Sequence, residues 1–324
     1  MARPPIRLVL HPGALGDVLL SVPALRRLRA SEDELVLAAQ PRIGTLLASL
    51  AIVDRHLAFD TLGLESLFGD DALPERLQRL LGGARVVSWF ASADPGFVSR
   101  LRSLAPDAVV ASTTPAAATV WQHLVASVGA LSRVEAVESG CREAIPLSPA
   151  LVAEGRHALG AAGWNGLRPL VMLHPGAGGA TKRWPVEGFA ELAGHLVDAF
   201  GVDLVVHEGP ADHDAVAALS ARLRVPALRL ADPPLGALAG AMHHAALWIG
   251  NDSGVTHLAA AIDTPTLALF TPANLPWRPW ARAARVQVVG TGALARADVE
   301  AVVAEAAILL RARVERAASA GGRR

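Results

Sequence analysis

Several residue types are scarce in this sequence of 324 residues, and each scarcity excludes a class of protein. A single cysteine, Cys141, excludes a disulfide framework and is typical of a reducing compartment. No other Cys or His lies near it at metal-ligand spacing, so we interpret it as an ordinary residue. Neither sign of charge is in excess, because 30 Lys and Arg balance 30 Asp and Glu. The basic residues are spread along the chain, which argues against a nucleic acid as the partner.

Long apolar runs are absent as well. No stretch approaches the roughly 18 uncharged apolar residues that indicate a membrane-spanning helix. The apolar N-terminus is interrupted by His11 and Asp17, so we interpret it as a strand and a turn rather than as a signal peptide. We therefore expect a cytoplasmic protein.

Lysine is the most informative scarcity, because Lys182 is the only one and the other 29 basic residues are arginine. Lys182 lies in a stretch that reads as a strand (Leu170 to Leu173), a glycine-rich turn (His174 to Thr181) and a helix opening at Pro185. Glycines and a helix N-terminus bring backbone N–H groups to an anion, and a compact ammonium suits a tight phosphate contact. The turn is not a Walker A loop, since Thr181 precedes the lysine and Arg183 follows it.

Short apolar strands alternate with helical patterns in both halves of the chain, which is typical of an α/β fold with doubly wound parallel sheets. We expect domains of residues 1–150 and 151–324, a linker region from Ser132 to Leu151, and a disordered tail from Ala317. His-Pro-Gly-Ala follows the first strand of each half, at His11 and His174, which favours two Rossmann-like domains facing each other across a cleft. The predicted strands are Ile6 to Leu10, Leu35 to Ala38, Ala84 to Trp89, Ala108 to Val110, Leu170 to Leu173, Asp203 to His207, Ala227 to Leu230, Ala246 to Ile249, Thr266 to Phe270 and Val286 to Val289.

A second candidate motif runs from Leu247 to Ala261, where a strand ends, Gly250 turns the chain and a helix begins. Asp252 or Ser253 caps this helix, and the N–H groups of Ser253 and Gly254 are available to phosphate oxygens. From the residues alone, Asp252 fits a cap as well as a ligand, and His257 fits a packed core as well as a binding site.

A third candidate motif joins Gly13 and Gly16 to Asp17, at the end of the first strand. A carboxylate at a helix start is favoured in its ionised form and can accept a proton from an attacking hydroxyl, although a plain N-cap fits Asp17 too. The helix that follows is capped at Ser21 with Pro23 in its first turn, or it is kinked at Pro23; the sequence leaves both open.

These three motifs, in this order, resemble glycosyltransferase family 9, which contains the ADP-heptose:lipopolysaccharide heptosyltransferases. The resemblance runs from about Ile6 to Pro279 and departs from several members at His11-Pro12 and at His207-Glu208-Gly209-Pro210. The matching residues are Gly13-Ala14-Leu15-Gly16-Asp17, Pro23-Ala24-Leu25, His174-Pro175-Gly176-Ala177, Lys182-Arg183-Trp184-Pro185, Gly250-Asn251-Asp252-Ser253-Gly254, His257-Leu258-Ala259-Ala260, Thr264-Pro265 and Phe270-Thr271-Pro272.

The resemblance implies a GT-B fold, with the donor held by the C-terminal domain and the acceptor by the N-terminal one. It implies an inverting, metal-independent transfer in which Asp17 is the general base and Lys182 neutralises the diphosphate leaving group. Gly13 and Gly16 are then acceptor-side residues. The implied donor-binding residues are Gly176, Thr181, Lys182, Glu208, Asp252, Ser253, Gly254 and His257. In some members an acidic residue contacts the ribose. Glu208, Asp212 and Asp214 are all candidates for that residue in this chain, and the sequence does not choose between them.

The implied partners are an ADP-sugar donor, with heptose as the expected sugar, and a glycolipid or oligosaccharide acceptor. We expect no metal or other cofactor and a monomer. A lipid-linked acceptor is compatible with peripheral contact at the cytoplasmic face of the inner membrane. Two alternatives stay open: a non-catalytic scaffold that binds nucleotide-sugars, and a nucleotide-sugar epimerase of the same fold.

Overall fold

The computed structural model describes residues 5–29, 33–69, 72–114, 118–131, 140 and 142–321. The chain divides into two compact units, Met1–Glu143 and Ala144–Arg324. Cys141 and residues 132–139 of the expected linker region lie outside the described residues. Among the described residues, no helix has both the length and the apolar run that are needed to span a membrane.

The first unit is built on five parallel strands in the order β3-β2-β1-β4-β5. Strands β1 and β2 are almost entirely buried, because helices cover both faces of a parallel sheet. The strands are β1 Ile6–Leu10, β2 Glu34–Ala39, β3 Arg55–Ala58, β4 Ala84–Ser88 and β5 Val109–Val110. The helices are α1 Leu15–Leu20, α2 Val22–Arg29, α3 Pro41–Ser49, α4 Glu75–Gly82, α5 Pro95–Leu104 and α6 Val120–Ser127.

The segment after β1 forms two helices that meet at Ser21. The Ser21 hydroxyl donates to the Val18 carbonyl at 2.7 Å, while the Leu25 N–H donates to the Ser21 carbonyl at 2.9 Å. Pro23 therefore lies in the first turn of α2, where its missing N–H is not needed. Of the two open readings, a new helix with Pro23 near its start is the one observed, although the Ser21 side chain closes α1 rather than capping α2.

The second unit contains six parallel strands in the order β11-β10-β9-β6-β7-β8. The strands are β6 Leu170–His174, β7 Asp203–Glu208, β8 Leu228–Ala231, β9 Ala245–Asn251, β10 Thr266–Phe270 and β11 Ala284–Val288. The helices are α7 Pro149–Ala161, α8 Val186–Phe200, α9 His213–Ser220, α10 Leu235–His244, α11 Gly254–Ala261 and α12 Arg296–Gly321.

Helix α12 packs on its own unit, where Val302, Ala306 and Leu310 enter the core beside Phe189 and Leu196 of α8. The helix continues to Gly321, so the expected disordered tail is wrong for residues 317–321, and the rest of that tail, 322–324, lies outside the described residues. Three of the residues 317–321 are alanine, which has the highest helix propensity.

In each sheet, successive strands are added first on one side of the first strand and then on its other side. This reversal gives the Rossmann strand order in both sheets. The predicted α/β class with two doubly wound parallel sheets is therefore confirmed. Ligands of such sheets bind outside the carboxyl ends of the strands, at the point of reversal. The motif of Lys182 follows β6 and the motif of Asp252 follows β9, and these strands are neighbours at that point. The third motif follows β1, at the corresponding point of the other sheet.

Candidate functional site

Lys182 and Asp252, which belong to separate motifs, form an ion pair at the reversal point of the second sheet. The Lys182 Nζ lies 2.8 Å from the Asp252 Oδ2. The Asp252 side chain is 5% exposed, whereas the Lys182 side chain is 37% exposed. One end of this pair is therefore fixed within the unit, and the other is accessible from outside.

Two more side chains contact the Asp252 carboxylate. Asn274 donates its amide N–H to Oδ2 at 2.9 Å, and the His257 Nε2 lies 3.7 Å from Oδ1. Burial alone raises the pKa of Asp252, but the contacts with His257 and Lys182 outweigh it and hold the pKa below the ordinary value. The carboxylate is thus ionised at neutral pH and surrounded by donors.

Ser253, rather than Asp252, caps helix α11. The Ser253 Oγ accepts the Thr256 N–H at 3.4 Å, and the Asp252 N–H donates to the Leu269 carbonyl of β10 at 2.9 Å. Within the described residues, the N–H groups of Ser253 and Gly254 have no hydrogen-bond partner. They provide the unpaired donors of a half-buried helix N-terminus beside the ion pair.

The glycine turn after β6 accommodates Asp212, which directly precedes α9. A Cβ built on Gly176 would lie 2.0 Å from the Asp212 Oδ1, and the Asp212 Oδ2 accepts the Gly209 N–H at 3.2 Å. Position 176 therefore tolerates only glycine in this arrangement.

The rest of that turn is short, and its hydrogen bonds join residues that are close in the sequence. Thr181 is exposed, in the single 3₁₀ turn Ala180–Lys182, and the Lys182 N–H donates to the Gly179 carbonyl at 3.1 Å. Pro185 immediately precedes α8, which begins at Val186, so the helix start expected at Pro185 is one residue early.

Glu208 ends β7, and its Oε1 contacts two side chains. The Arg229 Nη2 of β8 lies 2.5 Å from it, and the His213 Nδ1 lies 3.3 Å from it. The hydrogen bond from Arg229 lowers the pKa of Glu208. Of the three open acidic positions, Glu208 is thus engaged by Arg229, Asp214 is exposed on α9, and Asp212 borders the glycine turn.

Two buried histidines at the ends of β6 and β7 were not expected from the sequence. The Nδ1 atoms of His174 and His207 lie 3.1 Å apart, and both rings pack on Trp248. Burial lowers the pKa of both, so both are neutral at pH 7 and one donates to the other. The sequence signal that could have revealed this pair is a histidine at, or directly after, the end of two consecutive predicted strands.

The third motif lies in the first unit. Asp17 is the third residue of α1, half-buried, and its carboxylate has no hydrogen bond or ion pair among the described residues. The helix has Ala14 at its N-cap position, so the N-cap alternative for Asp17 is wrong. Gly13 packs between His11 and Asp17, and Gly16 lies within α1. Burial lowers the pKa of His11 to about 4, so this ring is neutral at pH 7.

The second unit thus brings Gly176, Thr181, Lys182, Asp252, Ser253, Gly254 and His257 to one edge of one sheet. Glu208 ends the next strand, where it is paired with Arg229. Asp17, Gly13 and Gly16 share the reversal point of the other sheet. In the part of the chain that the structure describes, no group of three or more His, Cys, Asp or Glu side chains is placed to hold a metal ion.

Curated relatives match part of this chain. The lipopolysaccharide heptosyltransferase 2 of Salmonella typhimurium is 35% identical over 118 residues, which are 35% of this chain and 34% of that protein. The lipopolysaccharide heptosyltransferase 1 of Pseudomonas aeruginosa is 34% identical over 105 residues, which are 32% of this chain and 29% of that protein. These matches span about a third of each relative's length.

Solved structures match nearly the whole fold. The glycosyl transferase family 9 structure from Veillonella parvula has a TM-score of 0.76 at 19% identity and covers 96% of this chain and 98% of that chain. The E. coli ADP-heptose lps heptosyltransferase II has a TM-score of 0.71 at 22% identity and covers 94% of this chain and 98% of that chain. At these identities the likeness concerns the fold, which is GT-B.

The model of the family described as glycosyltransferase family 9 (heptosyltransferase) matches residues 84–304, which are more than half of the chain. This match includes the motif of Lys182 and the motif of Asp252, whose side chains meet in the structure. The chain therefore belongs to glycosyltransferase family 9.

Proposed function

We propose that this chain is an inverting, metal-independent glycosyltransferase. It transfers heptose from ADP-heptose to a hydroxyl of a lipopolysaccharide-core or related glycan acceptor. Family membership supports the reaction class, and the partial relatives named as lipopolysaccharide heptosyltransferases support the sugar and the acceptor.

The observation that carries the proposal is the contact between Lys182 and Asp252. A nucleotide-diphospho-sugar offers a dianionic diphosphate next to a sugar with hydroxyls. Lys182 is accessible and flexible enough to turn toward the diphosphate, and the N–H groups of Ser253 and Gly254 are available to its oxygens. Asp252 then accepts hydrogen bonds from sugar hydroxyls, oriented by Asn274 and His257.

In the proposed reaction, Asp17 takes the proton of the acceptor hydroxyl while that oxygen bonds to C1 of the sugar. Attack is from the face opposite the diphosphate, so the configuration at C1 is inverted. The bond from C1 to the diphosphate oxygen breaks, and its electron pair leaves with the diphosphate. Lys182 and the α11 N-terminus stabilise that charge, and groups of this kind typically contribute about 3 kcal/mol each to the transition state.

Among the acidic candidates for the ribose, we propose Asp212. It adjoins Gly176, its Oδ2 accepts the Gly209 N–H, and the His174 Nε2 lies 3.9 Å from that same oxygen. The carboxylate of Glu208 is already engaged by Arg229.

The test is acceptor-dependent release of ADP by the purified chain, after a thermal-shift screen of ADP-, UDP-, GDP- and dTDP-sugars. A donor that binds raises the melting temperature. ADP release together with a glycosylated product supports the proposal. Donor binding without turnover supports the scaffold alternative, and free nucleotide without a glycosylated product contradicts a transferase.

A further inference from the structure

We infer that Asn251 is a positioning residue that clamps the Lys182 loop, defined as residues 175–184, and so holds Lys182 against Asp252. The inference rests on the proposed function for what Lys182 binds. The clamp itself rests only on contacts within the second unit.

Asn251 is the last residue of β9, and its side chain is fully buried. The backbone pairing of β6 with β9 ends one residue earlier, where His174 is opposite Gly250. The Asn251 side chain continues the connection between the two strands beyond that pair, and it does so through its amide.

The amide of Asn251 binds both ends of the Lys182 loop. Its Oδ1 accepts the Trp184 N–H at 3.0 Å, and its Nδ2 donates to the Pro175 carbonyl at 2.8 Å. A longer contact of 3.4 Å joins Nδ2 to the Gly176 carbonyl. One side chain therefore closes the loop at its base, between the residue where it leaves β6 and the residue that precedes Pro185.

Only an amide of this size supplies a donor and an acceptor in that arrangement. A carboxylate in its place would set an oxygen against the Pro175 carbonyl, and serine lacks the length to reach both partners. The Trp184 side chain is fully buried, so a Trp184 N–H without its partner would be an unsatisfied buried donor. The chain has only three asparagines, and this position uses both ends of one.

The clamp determines where Lys182 lies. Lys182 is two residues before Trp184, and Asp252 is one residue after Asn251, so the same contact brings both members of the ion pair together. The hydrogen bonds within the loop, from Lys182 N–H to Gly179 and from Arg183 N–H to Ala180, shape the loop but do not fix it to the sheet. Asn251 thus acts on the ligand through Lys182.

The first experiment measures the clamp without any ligand. In hydrogen exchange on the full chain, we expect Asn251→Ala to speed exchange of the Trp184 amide by roughly tenfold or more, since a buried hydrogen bond is lost. The matched control is Thr264→Val, which removes a buried hydrogen bond from Thr264 to the Met242 carbonyl, 3.0 Å long, in the same unit. Unchanged exchange at Trp184 in Asn251→Ala, or equal acceleration in Thr264→Val, would overturn the clamp.

The second experiment asks whether Asn251 acts through Lys182, by a double-mutant cycle on ADP affinity with Lys182→Ala. We expect Asn251→Ala to weaken ADP binding by roughly tenfold in the wild-type background and to have little further effect when Lys182 is absent. Equal losses in both backgrounds would contradict the positioning role. If Asn251→Ala does not fold, Asn251→Ser is carried through both measurements. Should the wild type fail to bind ADP, the proposed function fails, while the exchange result still decides the clamp.

Discussion

The only lysine of the chain donates to Asp252, at 2.8 Å, across the reversal point of the second sheet. The two residues come from loops after different strands, β6 and β9, that are neighbours in the sheet. Their contact joins a flexible cation to a buried carboxylate, and it leads to separate predictions for each partner.

Replacing Lys182 by arginine keeps the charge but changes its shape. A guanidinium is broad and planar, so it cannot take the position of a compact ammonium beside Asp252 and the α11 N-terminus. We expect Lys182→Arg to lower kcat by roughly tenfold or more, as for a lost transition-state contact. The measurement is steady-state transfer with saturating acceptor. Wild-type rates in this variant would contradict the argument from shape.

Replacing Asp17 by asparagine removes the proposed general base without changing its size. We expect transfer to fall by roughly 10²–10⁴-fold, the usual contribution of a positioned base. ADP affinity, measured by calorimetry, should stay within twofold of the wild type (roughly 0.4 kcal/mol). Asp60→Asn, at an exposed carboxylate of the same unit, is the matched control and should leave both quantities unchanged. Full transfer activity in Asp17→Asn would remove Asp17 from the mechanism.

The lowered pKa of Asp252 predicts the direction of one pH effect on stability. A carboxyl with a folded-state pKa below its unfolded value, which is about 3.9, stabilises the fold above that pH and loses the effect as pH falls through the folded pKa. We expect the melting temperature of the wild type to exceed that of Asp252→Asn at pH 7, and the difference to shrink as the pH falls below about 3.9. A difference that persists undiminished at pH 3 would contradict this assignment.

The buried histidine pair predicts a second pH effect. The pKa of His207 lies below the ordinary value in the folded state, so the unfolded chain binds more protons below about pH 6.5. Stability should therefore fall on acidification from pH 7.5 to 5.5, by up to about 1.4 kcal/mol per pH unit for each such histidine. His207→Gln should reduce this slope in urea unfolding. An identical slope in wild type and variant would show that the pair is not the cause.

The close approach of Gly176 to Asp212 predicts a steric effect on stability, and the nearby Gly178 provides the control. The Cβ of Gly176→Ala would overlap the Asp212 carboxylate, so we expect a loss of about 1–3 kcal/mol in the free energy of unfolding. Gly178→Ala is the control, because a Cβ there meets nothing within 4 Å. The double variant Gly176→Ala with Asp212→Ala should recover part of the loss, because the new Cβ would still lie 2.9 Å from the His174 Cε1. Equal stability of the two single variants would refute the close approach.

Elements with a strong local pattern were predictable. Strands β1 and β10 match their predicted ranges, because apolar runs identify them directly. Strand β3 and the helices α3 and α5 were missed. Arg55-His56-Leu57-Ala58 has no apolar run, and it is a strand because it pairs with β2. Both missed helices begin at a proline, and from the sequence alone a proline indicates the end of a helix as readily as its start.

The sequence indicated which types of side chain belong to the candidate site, but not which of them contact each other. Strand order decides that Arg229 reaches Glu208, that His207 reaches His174 and that Asn274 reaches Asp252. Each of these pairs joins segments that are distant in the sequence, and no local pattern encodes which strands become neighbours. The sequence therefore predicted an anion site at Lys182 but not the carboxylate that faces it.

The pairing of Lys182 with Asp252 has a consequence for selectivity. Any anion that draws the ammonium away leaves a buried carboxylate short of one donor, and that loss weakens the binding of phosphate or pyrophosphate alone. A molecule that also brings hydroxyl groups to Asp252 replaces the missing donor. We therefore expect the ion pair to discriminate against simple phosphates, which are abundant in cells, in favour of ligands that carry a sugar next to the diphosphate.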